Sequence, residues 1–222
     1  MQELGENQKI SMMAGTVQKL TEDPNVKKMV EDRMNEFRQV HKQDTWKWYE
    51  ELVYCLLTAY SSALMGQKCV DSLKVNEKLS SGSLDDVKAC LVLEGHRFAN
   101  VRSKYIFETR GIAPRIKSII MSFNSSKEAR VWLVKSVKGL GWKEASHYLR
   151  NVGYFDLAII DRHIMRNMNE HGLIEEDGSK GLTKKKYMKY EEILRKVSKR
   201  LDMPLGELDL YLWYRKTGKV LK

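Results

Sequence analysis

Two side chains with complementary chemistry lie eighteen positions apart in the second half of the sequence, Lys143 and Asp161. Lys143 follows the turn Gly139-Leu140-Gly141, and Asp161 ends the apolar run 157–160. A lysine amine is ordinarily protonated near neutral pH, with a pKa of about 10.4, so nucleophilic chemistry requires surroundings that favour the neutral form. A carboxylate can stabilise developing positive charge or move protons for a nearby amine. The pair therefore indicates covalent chemistry by an amine with the help of a carboxylate.

The Gly-x-Gly turn before Lys143 is typical of phosphate binding. Glycines let the chain turn tightly and approach a phosphate without a Cβ in the way, and N–H groups at a helix start attract anions. The same pattern also occurs as a plain turn between packed helices, so Gly139 and Gly141 are candidates for phosphate contact. Lys143 falls in the first turn of the next helix, near the positive end of the helix dipole, where a cation brings no structural benefit. That position favours a functional role.

Asp161 has a second suitable role as the cap of the helix that follows it. Capping and catalysis are compatible, because a carboxylate fixed by cap hydrogen bonds is already oriented for electrostatic stabilisation. His163 is a candidate proton shuttle, and the alternative is that it only packs and bonds locally.

The charge of the chain predicts a polyanionic partner. Lysine and arginine number 39 against 29 aspartates and glutamates, for a net charge of +10 that is spread along the sequence. Such a surplus is typical of nucleic-acid binding, although a basic solvated surface produces the same composition.

The cysteines and the apolar segments limit the location of the protein. Cys55, Cys69 and Cys90 are scattered without C-x-x-C spacing, which argues against a disulfide framework and a zinc site and predicts a reducing, cytoplasmic location. No window approaches the ~20 apolar residues of a membrane span, and the N-terminus lacks a basic segment that leads into an apolar one. We therefore expect neither export nor a membrane anchor.

Helical periodicity dominates the sequence and predicts an all-α fold. Capping sequences at Ser83 and Ser125 should each begin a helix. Other predicted helices run over 24–40, 45–59, 142–151, 161–171, 183–200 and 204–215, with a loop over 172–181. The apolar run 157–160 is too short to establish a strand.

The block 137–154, continued by 158–164, resembles the helix-hairpin-helix DNA glycosylase superfamily. Within it, the match is to the type-2 8-oxoguanine DNA glycosylase/AP lyase family of archaea and some bacteria. The resemblance extends to Gly95-His96-Arg97-Phe98 and to the ending 207–222, and it covers most of the chain from about Val26 onward.

This resemblance implies roles for five residues. In the family, the lysine after the hairpin attacks C1′ of the damaged nucleotide and the later aspartate assists, which assigns these roles to Lys143 and Asp161. An aromatic residue of the G-H-R-F segment and the tryptophan of the last helix flank the flipped base, and the C-terminal lysine helps to distinguish 8-oxoguanine from guanine. The matching residues are Phe98, Trp213 and Lys222. Core packing is the alternative role for Phe98 and Trp213.

The implied protein is a bifunctional repair enzyme with two helical subdomains and a cleft between them. The expected division is into N-terminal helices over 1–44, which pack with the C-terminal part, a central domain over 45–155, and C-terminal helices over 156–222. The expected partner is double-stranded DNA that contains oxidised guanine. The expected state is a cytoplasmic, nucleoid-associated monomer without cofactor or catalytic metal.

The sequence departs from the wider superfamily at two points. Ile160 stands where a proline often precedes the aspartate, which the type-2 branch tolerates. No cysteine follows Cys90, so no iron-sulfur cluster is expected. A structural cation held by hairpin carbonyls stays open, and the turn 60–63 stands where relatives place a loop that probes the gap left by the flipped base. The rival hypothesis is a non-catalytic helix-hairpin-helix protein, in which Lys143 only contacts phosphate and Asp161 only caps.

Overall fold

The structure, a computed structural model, describes residues 5–175 and 182–222, and all regular secondary structure within these ranges is helical. The all-α prediction is confirmed. Residues 176–181 of the predicted loop and residues 1–4 of the N-terminus lie outside the described residues. The helices are α1 (Glu6–Thr21), α2 (Pro24–Lys42), α3 (Thr45–Thr58), α4 (Ala63–Val75), α5 (Leu84–Leu93), α6 (Ala99–Thr109), a 3₁₀ helix (Arg110–Arg115), α7 (Ile116–Met121), α8 (Ser126–Ser136), α9 (Trp142–Asn151), α10 (Arg162–Glu170), α11 (Lys184–Leu201) and α12 (Leu205–Thr217).

Side-chain caps fix several helix starts where the sequence predicted them. Asp23 Oδ1 accepts the N–H of Asn25 at 2.9 Å, so that α2 begins at Pro24. Ser83 caps α5 and Ser125 caps α8. Each serine side chain accepts the N–H of the residue three positions later. Each cap satisfies an N–H group that has no acceptor inside its helix.

The chain forms two compact units, and one of them comprises residues 38–153. Helix α3 lies at its centre, where it contacts α4, α6, α7 and α9. Every residue from Trp48 to Thr58 is buried. Since α3 is covered on all sides, it provides a rigid axis against which the helices around it are placed.

The other unit comprises residues 1–37 and 154–222. Helix α1 packs against α11 and α12, and α12 also packs against α10. The chain enters this unit through an irregular segment, 154–160, which leads directly to the first turn of α10. Among the described helices, none is both long enough and apolar enough to cross a membrane.

Candidate active site

The hairpin between α8 and α9 depends on glycine at position 139. Gly139 has a φ of +94°, in the left-handed region that side chains disfavour. A Cβ at this position would also lie 2.3 Å from Cδ2 of Tyr105. The ring of Tyr105 therefore packs against the hairpin backbone where only hydrogen fits, and α6 sets the path of the turn.

Gly139→Ala is expected to destabilise the protein for both reasons. A strained non-glycine conformation costs roughly 1–3 kcal/mol, and displacement of the Tyr105 ring adds to that cost. We expect the melting temperature to fall by at least about 2 °C, as judged by the usual scaling for this chain length. The control is Gly111→Ala, because a Cβ at Gly111 would meet nothing within 4 Å. Equal melting temperatures for the two variants would contradict the close packing at Gly139.

The backbone N–H groups of the two glycines in the turn differ in their hydrogen-bond acceptors. The N–H of Gly141 donates to Oε2 of Glu144 at 3.2 Å, so a phosphate would compete with that carboxylate. The N–H of Gly139 donates to no residue that the structure describes. No side chain caps α9, which leaves the amides of its first turn without an acceptor inside the helix. Of the two predicted anion contacts, Gly139 is therefore better placed than Gly141.

Lys143 is half-buried in the first turn of α9. Within residues 38–153, its ammonium group forms no hydrogen bond or salt bridge with a described residue. A structural lysine commonly pairs with a carboxylate, whereas this amine is left available for an external group. The arrangement suits a nucleophile or a phosphate contact.

Buried polar contacts hold α9, the helix that carries Lys143. Arg130 of α8 donates to the hydroxyl of Ser146 at 3.1 Å. Asn151 donates to Oε2 of Glu51 on α3 at 3.0 Å. All residues from Ala145 to Asn151 are buried. Lys143 thus projects from a helix that is fixed to both neighbouring helices.

The cysteines offer no competing nucleophile. All three are buried, and none forms a disulfide within the described residues. Burial raises the pKa of Cys69 to about 11, which keeps its thiol protonated near neutral pH. Within the described parts of the chain, no group of three or more His, Cys, Asp or Glu side chains is placed to hold a metal ion.

Phe98 lies at the start of α6 and is oriented by a buried histidine. His96 Nε2 donates to the carbonyl of Leu57 at 2.9 Å, and the N–H of Phe98 donates to Nδ1 of the same ring at 3.2 Å. The ring of Phe98 is half-buried, and the guanidinium of Arg97 lies 5.1 Å from its centroid. Phe98 is therefore outside the set of fully buried core residues and presents part of an aromatic face.

Asp161 caps α10, as the sequence predicted. Its Oδ1 accepts the N–H of His163 at 2.8 Å and the N–H of Ile164 at 2.9 Å. Its other carboxylate oxygen accepts no hydrogen bond from any residue in the described ranges. The cap fixes the orientation of the carboxylate and leaves its second oxygen available to interact with another group.

His163 lies beside Trp213, with the ring centroids 5.7 Å apart in an edge-to-face arrangement. Burial lowers the pKa of His163, and the opposing effect of the Asp161 carboxylate does not reverse this. The lowered pKa favours the neutral form of the His163 imidazole. Trp213 and Lys222 are both half-buried, so neither belongs to the core.

The predicted site residues fall into two groups. One group belongs to the unit 38–153 and comprises Gly139, Gly141, Lys143 and Phe98. Helix α6 connects them, because Phe98 directly precedes this helix and its Tyr105 packs against Gly139. The contact between His163 and Trp213 places Trp213 next to the start of α10 in the other unit, to which Lys222 also belongs.

Sequence reasoning missed Tyr105 as a support of the hairpin. Gly139 signals that some group approaches the backbone closely, but a partner thirty-four positions earlier leaves no local signal. Reasoning from the sequence also missed the contacts that α11 makes with the segment before Asp161.

Comparison with known proteins gives one consistent result. Residues 30–203 match the family model Ogg-HhH, described as 8-oxoguanine DNA glycosylase. An 8-oxoguanine DNA glycosylase/AP lyase of Korarchaeum cryptofilum is 43% identical over 89% of this chain and 92% of its own length. The Methanocaldococcus jannaschii protein of the same name is 41% identical over 89% of this chain and 93% of its own length.

Solved structures agree along nearly the whole chain. The crystal structure of M. jannaschii 8-oxoguanine glycosylase/lyase in complex with a 15mer DNA containing 8-oxoguanine has a TM-score of 0.89 at 38% identity, and the match covers 95% of this chain and 100% of that chain. The 8-oxoguanine DNA glycosylase of Thermotoga maritima has a TM-score of 0.85 at 37% identity, with 96% of this chain and 100% of that chain covered.

Proposed function

Because the chain belongs to the 8-oxoguanine DNA glycosylase family, we propose that it excises 8-oxoguanine from DNA through attack by Lys143 and then cuts the strand. The observation that carries the assignment is the state of Lys143. Lys143 as a residue is half-buried, its amine has no described ion-pair partner within 38–153, and it follows the glycine hairpin by two positions. A purely structural lysine gains nothing at this end of α9.

The reaction begins with DNA held by its phosphates, to which the net charge of +10 and the amides around Gly139 contribute. The damaged nucleotide rotates out of the duplex. Unstacking costs a few kcal/mol, and stacking on an aromatic face restores about 1–3 kcal/mol per base. The half-buried rings of Phe98 and Trp213 are the faces that we assign to this role.

Lys143 then acts as the nucleophile. Its neutral Nζ forms a bond to C1′ while the bond from C1′ to the base nitrogen breaks, and the departing base takes up a proton. The free oxygen of Asp161 stabilises the positive charge that develops on the sugar. Nζ then loses a proton, the bond between C1′ and O4′ breaks, and O4′ takes up a proton, which leaves a protonated Schiff base between Nζ and C1′. Removal of a proton from C2′ then expels the 3′ phosphate, which cuts the strand 3′ to the lesion.

All of the residues assigned to this reaction lie on one chain, so we propose that the protein acts on duplex DNA as a monomer. We also propose that it acts in the cytoplasm, at the nucleoid. The functional test is single-turnover incubation with a duplex that contains one 8-oxoguanine and with the same duplex that contains guanine. We expect base release and strand cutting on the first duplex alone. Tight binding of both duplexes without either reaction would overturn the proposal in favour of a non-catalytic DNA-binding protein.

Removal of Lys222 tests the proposed basis of lesion selection. A hydrogen bond to a charged group contributes ~1.5–3 kcal/mol, so deletion of this residue should reduce the rate ratio between 8-oxoguanine and guanine by at least about tenfold. The control is Lys219→Ala, which changes an exposed lysine of the same tail. An unchanged ratio after deletion of Lys222 would remove that residue from the base pocket.

A further inference from the structure

The four residues before Asp161 form a buried segment without regular secondary structure. Leu157, Ala158, Ile159 and Ile160 are each at most 5% exposed. Buried backbone N–H and C=O groups need hydrogen-bond partners, and a segment outside a helix or sheet must find them elsewhere.

Helix α11 supplies these partners through two side chains. The hydroxyl of Tyr187 donates to the carbonyl of Ala158 at 2.7 Å and accepts the N–H of Ile160 at 3.3 Å. Oε2 of Glu191 accepts the N–H of Ala158 at 3.1 Å. Tyr187 and Glu191 are one helical turn apart and therefore lie on the same face of α11. Together they satisfy three backbone groups of the segment.

Both side chains are deeply buried, with exposures of 2% for Tyr187 and 4% for Glu191. Desolvation makes a buried carboxylate costly, so packing alone would favour an apolar residue at position 191. Arg195, one turn further along α11, lies 3.4 Å from the other oxygen of Glu191 and balances its charge. The chain thus places a row of polar side chains on α11 against this segment.

These contacts end at the residue beside the proposed charge-stabilising carboxylate. The N–H of Ile160 is bound by Tyr187, and the N–H of Asp161 donates to the carbonyl of Ile159 at 3.2 Å. On the other side, the amides of His163 and Ile164 hold Oδ1 of Asp161. The Asp161 carboxylate is therefore held in two ways. Amides of α10 bind its oxygen, and Tyr187 of α11 binds the backbone of the residue before it.

We infer that Tyr187 and Glu191 are positioning residues for Asp161 and set its catalytic contribution without touching DNA. The inference rests on the role proposed above for Asp161. Electrostatic stabilisation requires a group held within a fraction of an ångström of its working position, and a misplacement of about 1 Å can cost ~100-fold in rate.

Tyr187→Phe removes the hydroxyl and leaves the ring in place. We expect the single-turnover rate of base release to fall about 10- to 100-fold, while the Kd for lesion DNA changes less than about twofold because no DNA contact is lost. The matched control is Tyr190→Phe on the same helix, since Tyr190 is also buried and its hydroxyl bonds to no residue within the described ranges. A native rate in Tyr187→Phe would overturn the inference.

A double-mutant cycle separates this inference from the proposed function. If Tyr187 acts through Asp161, the change Tyr187→Phe should slow the Asp161→Asn protein by less than about twofold. If Tyr187→Phe slowed base release by the Asp161→Asn protein as much as it slows the native protein, Tyr187 would act independently of Asp161. That result would overturn the inference. If Asp161→Asn alone has the native rate, the role proposed for Asp161 fails as well. If Asp161→Asn is slow and Tyr187→Phe is not, only the positioning role fails.

Glu191 provides a second route if Tyr187→Phe does not fold. Glu191→Gln keeps an oxygen that accepts the N–H of Ala158, whereas Glu191→Met removes it at similar size. We expect base release within about threefold of native for the Gln variant and at least about tenfold slower for the Met variant, with similar DNA affinity. Equal rates for the two variants would contradict a positioning role for this hydrogen bond.

Discussion

Lys143→Gln should lose base release and strand cutting together, by at least about 10³-fold, because glutamine has no nucleophilic amine. Both steps depend on the same bond between Nζ and C1′. A glycosylase that used water would release the base normally and lose only the lyase step. Single-turnover rates for the two products, measured on one duplex, therefore distinguish the two mechanisms.

DNA binding should persist in the same variant. One phosphate contact is a small part of a multi-contact electrostatic interaction, so the affinity should fall by no more than about tenfold. Lys135→Gln is the control, since it makes the same change of charge at an exposed position on α8. It should leave both reaction rates near native. Base release at the native rate by Lys143→Gln would assign the nucleophile to another group.

Asp161→Asn should slow base release by roughly 10²–10³-fold, the usual effect of losing one preorganised electrostatic group. Asparagine caps helices about as well as aspartate, so α10 should begin normally and the melting temperature should change little. The variant therefore removes the charge and keeps the hydrogen bonds to His163 and Ile164. Base-release rates and thermal unfolding curves give the two readouts.

Asp161→Ala separates capping from catalysis. It removes the cap as well as the charge, which costs about 1 kcal/mol and should lower the melting temperature by roughly 2–4 °C. Its reaction rate should be no higher than that of the Asn variant. If Asp161→Asn retained the native rate, Asp161 would be a helix cap alone, as the rival hypothesis holds.

The helices that carry the proposed chemistry could be predicted because their signals are local. In α9, the apolar positions Ala145, Tyr148 and Leu149 are buried as their helical spacing requires, and α9 has the predicted limits 142–151. The capping role of Asp161 was also readable from its type and position. Such features depend on residues within one or two turns of each other.

Other helices had no comparable signal. No side chain caps the start of α6, which follows Phe98, and α1 begins after Gly5 with another glycine at position 15. Helix α4 does have a cap at Ser62, but no acid follows at the third position to complete the capping-box pattern that marked Ser83. These helices are stabilised mainly by tertiary packing, which periodicity does not report.

The supports of the site could not be predicted for the same reason. Tyr105 contacts Gly139, and Tyr187 contacts Ile160, across distances in the sequence that no motif spans. A glycine indicates that another group lies close to the backbone at that position. A buried segment outside a helix indicates that its N–H and C=O groups have hydrogen-bond partners elsewhere in the chain. Neither observation identifies the residue responsible until the chain is folded.

Reduction of the reaction intermediate tests most directly whether Lys143 is the nucleophile. Native protein is incubated with a duplex that contains 8-oxoguanine in the presence of borohydride, and the product is separated under denaturing conditions and digested for peptide mapping. We expect a covalent adduct between DNA and Lys143. Absence of an adduct, or an adduct at another lysine, would contradict the assignment of Lys143 as the nucleophile.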